Sequence, residues 1–308
     1  MTNVFIDGSA GTTGLRIYER LSAREDLNLI ILPDEVRKEV SARREAINSA
    51  DVVFLCLPDA AAIEAVSLLE NDKTVIIDTS TAHRTLDNWT YGFPELDGQR
   101  EKIKNAKLIA NPGCHASGFV ALIAPLVKAG IINPETALTS FSLTGYSGGG
   151  KKMIAEYEDE NRNPLLSAPR QYGLTQQHKH LKEMVKICGL SNAPSFAPIV
   201  GDFYSGMEVS VPLFAKDIKG TVEDIKKVYA SWYNSKLLHF DEAADEEGFL
   251  SAAAFSGRDD MQITVAGNDE RIMLVSRFDN LGKGASGAAI QNMNIVLGID
   301  ETTGLTVE

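Results

Sequence analysis

The chain has 308 residues, 44% hydrophobic and 23% charged, with 25 glycines and 11 prolines scattered along it rather than pooled, which excludes a disordered or fibrous protein. A formal charge of −12 disfavours a nucleic-acid or anionic-membrane surface. The length suggests two domains, each able to bury its own core.

Three cysteines (Cys56, Cys114 and Cys188) cannot all pair, and so few in so long a chain suit a reducing cytoplasm. The opening MTNVFIDGSAG has no basic run ahead of an apolar one, so no secretory signal is expected. The longest uncharged stretch, 108–127, contains Asn111, Pro112 and Gly113, whose backbone needs do not suit a membrane span.

In chain order, NVFID (3–7) predicts a strand, GSAGTTG a glycine turn, and LRIYERL a helix packed through Leu15, Ile17, Tyr18 and Leu21. Further strands are predicted at 27–32, 52–58 and 74–80, with a helix over 63–70 between the last two. Continuous apolar strands separated by helices imply an α/β unit with a parallel sheet covered on both faces. The segment between the second and third strands is brief, so no full crossover is expected there. After NPGCHASG, the apolar residues Phe119, Leu122, Ile123, Leu126 and Val127 follow helical spacing, and Pro125 is expected to kink or weaken that helix. Beyond about residue 135 come strands at 139–145, 207–214, 262–267 and 271–278, with helices near 151–160, 178–188 and 221–235. This half predicts an α+β domain with a mixed or antiparallel sheet. A final apolar helix over 285–299 is free to return to the first domain.

Gly8, Gly11 and Gly14 stand between a strand and a helix, where exposed amides and the positive helix end meet a dinucleotide pyrophosphate, and Ser9, Thr12 and Thr13 add hydroxyls. A tight turn that needs no ligand is the alternative. After the second strand, Asp34 suits a ribose hydroxyl, whereas Arg37, Lys38, Arg43 and Arg44 suit a 2′-phosphate or are ordinary surface charge.

Cys114 follows the turn of Pro112 and Gly113 and begins a helix whose positive end favours a thiolate. Cys56 and Cys188 sit in apolar patterns and read as core residues. HKHLKE supplies His178, His180 and Glu183, two imidazoles and a carboxylate able to orient one of them. No third ligand stands at a convincing spacing, so no metal is expected; cysteine with histidine in covalent catalysis fits better. GYSGGGKK imitates a phosphate loop, but Lys152 occupies the position that needs serine or threonine, leaving an anion-holding turn or a plain flexible one.

The ordered set GSAGTTG, DTSTAHR, YGFPEL, NPGCHASG, GYSGGGKK, QHKHLKEM, FYSGMEVSVPL and DNLGKGASGAAIQNMN resembles the shorter form of the N-acetyl-gamma-glutamyl-phosphate reductase family, which is similar in plan to aspartate-semialdehyde dehydrogenase. The resemblance spans nearly the whole chain. It implies a Rossmann-type cofactor domain of residues 1–116 with 280–308, a catalytic and oligomerisation domain of 117–279, and a dimer or tetramer. It implies NADP rather than NAD, with Gly8, Ser9, Gly11, Thr12, Thr13 and Gly14 at the pyrophosphate and Ser80, Asn280, Gly282, Lys283 and Gly284 on the nicotinamide side. By the same resemblance Cys114 is the nucleophile and His178 the acid–base partner, with His180 as the rival base; Arg84, His180, Glu183, Tyr172 and Gly148 contact substrate. Arg162 and Arg170 would shape the substrate pocket. His115 stands where the longer form has an aromatic residue, which leaves it as an alternative base. The implied reaction passes an acyl phosphate through a cysteine thioester to an aldehyde and orthophosphate. Aspartyl phosphate or a carrier-linked aminoadipyl phosphate is the alternative substrate, and a non-catalytic dinucleotide-binding regulator the alternative of another class.

Overall fold

The structure, a computed structural model, describes residues 1–307. Its elements in chain order are β1 (Thr2–Asp7), α1 (Thr12–Leu21), β2 (Leu27–Ile30), α2 (Val40–Ser49), β3 (Val52–Leu55), α3 (Asp59–Ser67), β4 (Val75–Asp78), β5 (Thr90–Tyr91), α4 (Gln99–Lys104), β6 (Leu108–Ala110), α5 (Cys114–Lys128), β7 (Thr139–Gly145) and α6 (Gly150–Glu158). Then follow β8 (Arg170–Gln171), α7 (His180–Cys188), β9 (Ser195–Gly201), β10 (Met207–Phe214), α8 (Val222–Trp232), β11 (Leu238–Phe240), β12 (Met261–Gly267), β13 (Arg271–Phe278) and α9 (Gly287–Leu297). Two compact units result: Met1–Pro112 with Ala285–Leu305, and Gly113–Gly284 with Thr306 and Val307. Residues 113–116 and 280–284 thus fall in the second unit.

The first unit is a six-stranded parallel sheet in the order β2-β1-β3-β4-β6-β5. Strand side chains alternate between two apolar layers. Val4, Ile6, Val52, Phe54 and Ile77 pack with Ile17 and Leu21 of α1, Ile103 of α4 and Ile290 and Met293 of α9. Phe5, Val53, Leu55 and Ile76 pack on the opposite face with Ile47 of α2 and Ala62 and Ala65 of α3. The second and third strands are therefore joined through a ten-residue helix, α2, where no full crossover was expected. Its sequence, VSARREAINS, hides the helix because Arg43 lies on its buried side.

Helix α9 completes this unit through polar side chains. Asn292 Nδ2 donates to the Gly92 carbonyl at 2.9 Å and to Asn111 Oδ1 at 3.2 Å. Asn294 Oδ1 accepts from Arg24 Nη1 at 2.9 Å.

The second unit holds a seven-stranded sheet, β11-β12-β13-β10-β7-β9-β8, in which β11/β12 and β7/β9 are parallel and the other pairs antiparallel. Helix α5 is buried along most of its length and lies so close to this sheet that a Cβ on Gly118 would stand 2.5 Å from Val209 Cγ2. The expected weakening at Pro125 does not occur, and α5 continues to Lys128. Proline lacks the N–H that would bond the carbonyl four residues earlier, that of Ala121. Tyr233 replaces it, donating its hydroxyl to the Ala121 carbonyl at 2.7 Å, while Tyr229 donates to the Leu122 carbonyl at 2.6 Å. No helix among the described residues is long and apolar enough to cross a membrane.

Candidate active site

In the first unit β1 has β2 on one side and β3 on the other, so the strand order reverses there and a crevice opens beyond the carboxyl ends of the strands. The glycine turn lies at this point. Gly8 has φ +92°, a left-handed conformation, and a Cβ there would stand 2.3 Å from the Cys56 carbonyl oxygen. A Cβ on Gly14 would lie 2.4 Å from the Gly8 oxygen, which lets α1 start hard against the turn. Thr12 Oγ1 at the head of α1 is buried without a hydrogen-bond partner. An orphaned hydroxyl beside the free amides of a helix N-terminus fits a phosphate oxygen.

Beside the turn a cavity of about 650 Å³ is lined by Gly8, Ser9, Leu29, Asp34, Arg37 and Lys38, among others. The residues present therefore fit a dinucleotide. Of the four basic candidates for a 2′-phosphate, Lys38 and Arg37, the latter in a solvent-exposed 3.3 Å pair with Asp34, face this cavity. Arg43 does not qualify: it is 7% exposed, with Nε 3.0 Å from Asp7 and Nη1 3.0 Å from Glu64. Two carboxylates leave it no net positive charge to offer, and burial, partly offset by Arg43, raises the Asp7 pKa. Arg44 pairs with Glu70 at 2.8 Å.

Asp78, fully buried at the end of β4, accepts from the Ser80 amide at 2.9 Å and the Ser80 hydroxyl at 2.6 Å, and bonds His83 Nδ1 at 2.6 Å. The sequence reading singled out Ser80 but missed Asp78 and His83, although both stand in DTSTAHR. Arg84, expected at the substrate's anionic group, is buried, with Nε on the Asn111 carbonyl and Nη2 on the Thr79 carbonyl, each at 2.8 Å. In that position it braces the loops of the first unit. Burial pushes the Cys56 thiol up to about 12 and also raises that of Cys188, as suits core thiols.

In the second unit Cys114 is the first residue of α5, partly exposed, with Gly113 as the extended N-cap. The helix start favours its thiolate. Glu183 of α7 is 2% exposed, and its Oε1 accepts the Gly113 amide at 2.8 Å. Its carboxylate therefore fastens the backbone immediately ahead of the thiol. Gly284 lies against Cys114, where a Cβ would come within 2.9 Å of the Cys114 Cβ.

His178, His180 and His115 gather with Tyr172 and Phe196, the ring centroids of His178 lying 4.8 Å from His180, 5.6 Å from His115 and 5.2 Å from Phe196. His178 Nδ1 accepts the His180 amide at 3.2 Å, which puts the proton of the neutral ring on Nε2. Burial and then the charge of Lys179 lower the His178 pKa. His115 is no base: it is 3% exposed, burial pushes its pKa down to about 3, and both ring nitrogens are engaged at 2.6 Å, Nδ1 with Ser142 and Nε2 with Tyr172.

Other expected contacts are held within this unit. Asn280 Oδ1 accepts the Gly206 amide and Nδ2 donates to Ser147, both at 3.0 Å; a Cβ on Gly148 would stand 3.3 Å from that Nδ2. A Cβ on Gly282 would meet the Arg258 carbonyl at 1.9 Å, and Lys283 is 1% exposed. Arg162 is clasped by both oxygens of Asp202, and Arg170 by the Tyr157 hydroxyl. The Asp202 clasp leaves Arg162 no free guanidinium for a substrate.

The family model for the semialdehyde dehydrogenase NAD binding domain matches residues 32–106, and that for the semialdehyde dehydrogenase dimerisation domain matches 114–280. Aspartate semialdehyde dehydrogenase II from Vibrio cholerae, complexed with ASA, superposes with a TM-score of 0.71 at 16% identity, over 97% of this chain and 98% of that one. The Candida albicans aspartate semialdehyde dehydrogenase with NADP gives 0.67 at 16%, over 96% and 98%. At such identities these two speak for the fold alone. Closer in sequence are N-acetyl-gamma-glutamyl-phosphate reductase 2 of Nostoc sp., 44% identical over 98% of both chains, and the N-acetyl-gamma-glutamyl-phosphate reductases of Trichormus variabilis (45%, over 98% of both) and Sinorhizobium medicae (43%, over 96% of this chain and 98% of that one). With identity at that level along almost the full length, on a fold that carries a dinucleotide turn and a thiol at the first position of a helix, the chain belongs to the N-acetyl-gamma-glutamyl-phosphate reductase family.

Proposed function

We propose that this chain reduces N-acetyl-gamma-glutamyl phosphate to N-acetylglutamate semialdehyde and orthophosphate with NADPH, a step of arginine biosynthesis. The observation that carries the reading is Cys114, partly exposed at the first position of α5 with its preceding amide fixed by Glu183. Ionised there, the sulfur attacks the acyl carbonyl carbon, forming a C–S bond as the C–O bond to phosphate breaks. The proton released by the thiol ends on the departing orthophosphate, so acylation needs no net proton, and His178 is the acid–base partner in that exchange.

NADPH, when bound, supplies the hydride that reduces the thioester carbonyl. His178, holding its proton on Nε2, donates a hydrogen bond to the alkoxide so formed. Collapse of the alkoxide restores the carbonyl as aldehyde and expels the Cys114 thiolate, which closes the cycle. Gly8, Ser9, Gly11, Thr12, Thr13 and Gly14 would hold the cofactor's pyrophosphate. Arg37 and Lys38, beside Asp34 in the cavity, favour the 2′-phosphate of NADP over NAD. The dimerisation model that matches 114–280 supports a homo-oligomer, and the metabolic reaction suits the cytoplasm.

Purified protein given NADP, orthophosphate and N-acetylglutamate semialdehyde is expected to generate reduced-cofactor absorbance, and Cys114→Ser to abolish it while still quenching NADPH fluorescence. Turnover only with aspartate semialdehyde would overturn the substrate assignment. Full activity of Cys114→Ser would overturn the covalent route.

A further inference from the structure

The mechanism leaves one buried polar chain unused. Ser142 on β7 is 0% exposed, and among the described residues its hydroxyl makes no hydrogen bond other than the 2.6 Å contact with His115 Nδ1. His115 Nε2 in turn lies 2.6 Å from the Tyr172 hydroxyl. A neutral imidazole has one N–H and one lone pair, so the two contacts must run in the same sense along the chain. If His115 donated from Nδ1, the Ser142 hydrogen would point into a dry interior with no acceptor, an expensive arrangement. The other sense moves the spare hydrogen to Tyr172, which is partly exposed: Ser142 donates to Nδ1, and Nε2–H donates to the Tyr172 oxygen. That oxygen then accepts from His115, and its own hydrogen is left without a protein acceptor.

Two observations place this hydrogen at the chemistry. Tyr172 packs edge-on to His178, ring centroids 6.0 Å apart, and His115 is the immediate neighbour of Cys114 at the start of α5. The charge of Cys114 adds to the burial that raises the Tyr172 pKa, so thiol and phenol are within electrostatic reach and the phenol keeps its proton.

We propose that Ser142, His115 and Tyr172 form a relay of fixed polarity that delivers the Tyr172 hydroxyl as a hydrogen-bond donor to the acyl oxygen of the group carried on Cys114. Tyr172 is then a further catalytic residue, and His115 and Ser142 are positioning residues acting through it. The assignment deepens the reductase reading and rests on it for the identity of the acyl group. No proton is transferred along the relay; its function is to stop Tyr172 from donating inward.

The test uses the full-length enzyme labelled with ¹⁵N-histidine. Long-range ¹H–¹⁵N spectra of wild type are expected to show His115 as the Nε2–H tautomer from pH 6 to 9, and Ser142→Ala to turn it into a mixture. Tyr172→Phe is expected to lower kcat by about 10²–10³-fold, with NADPH affinity and the rate of Cys114 alkylation by iodoacetamide within about twofold of wild type. Ser142→Ala is expected to lower kcat several-fold with KM little changed, since it disturbs the donor and not the pocket. An Nδ1–H tautomer in wild type would overturn the relay, as would a Tyr172→Phe enzyme with undiminished kcat. The tautomer is read without substrate, so an enzyme that shows the expected His115 spectrum but reduces no acyl phosphate would tell against the reductase reading alone.

Discussion

Lowering the pH from 7 to 5 is expected to cost the fold about 2 kcal/mol through His115 alone. Its ring is 3% exposed and its pKa is pushed down to about 3, first by burial and then by the charge of His178; in the unfolded chain it returns to about 6.5. Below that unfolded value the open chain binds a proton that the folded chain refuses, so protonation favours unfolding. Above it neither state binds one, and the full stability is present. Between the two values each pH unit removes about 1.4 kcal/mol, and the loss levels off only near the folded value. At pH 5 the folded ring is still neutral, so the figure is insensitive to a unit of error in its depressed pKa. Urea denaturation followed by circular dichroism, on wild type and His115→Gln at both pH values, isolates the effect. Carboxylates and His178 titrate in both chains and cancel, so the variant, though weaker at pH 7, should lose about 2 kcal/mol less across the interval. Equal pH dependence in the two proteins would refute a buried, neutral His115.

The hydroxyls over α5 should be unequal in worth. Tyr233→Phe strands the Ala121 carbonyl that Pro125 cannot serve and should cost about 1–3 kcal/mol, whereas Tyr229→Phe leaves Leu122 its helical partner and should cost about 0.5–1.5 kcal/mol; urea midpoints giving the opposite order would show that Pro125 is not the cause. Replacing Arg37 and Lys38 together by alanine should raise KM for NADPH about tenfold and leave that for NADH nearly unchanged, as expected for exposed cations on a phosphate. An unaltered ratio of the two KM values would remove them from cofactor choice. Gly284→Ala should slow single-turnover acylation of Cys114 by about tenfold or more, because the new methyl meets the Cys114 Cβ at 2.9 Å; a normal acylation rate would mean that the turn yields at no cost.

The parts of this protein legible in its sequence are those written in local pattern. Continuous apolar runs such as VVFL and VIID announce strands covered on both faces, and Gly8, Gly11 and Gly14 announce the turn because backbone approach there excludes a side chain. What escapes is non-local. Helix α2 looks polar because the partners that neutralise Arg43, Asp7 and Glu64, come from β1 and α3. Pro125 reads as a breaker until Tyr233 arrives from beyond α8. An imidazole beside a thiol suggests a base, and only the distant Ser142 and Tyr172 turn His115 into a neutral bridge. Short edge strands such as β8 and β11 carry too few residues to show a period.

The placement of α9 bears on how this protein is made. The second unit is almost entirely encoded between Gly113 and Gly284, whereas the first needs Ala285–Leu305 to complete the helical layer over its sheet. On the ribosome the portion translated earliest is therefore the one that matures latest. Until Asn292 emerges, the Gly92 carbonyl lacks its donor and the apolar face that receives Ile290 and Met293 stays open to solvent. During that interval the nascent amino-terminal segment, rather than the thiol-bearing unit, carries the apolar surface that favours aggregation.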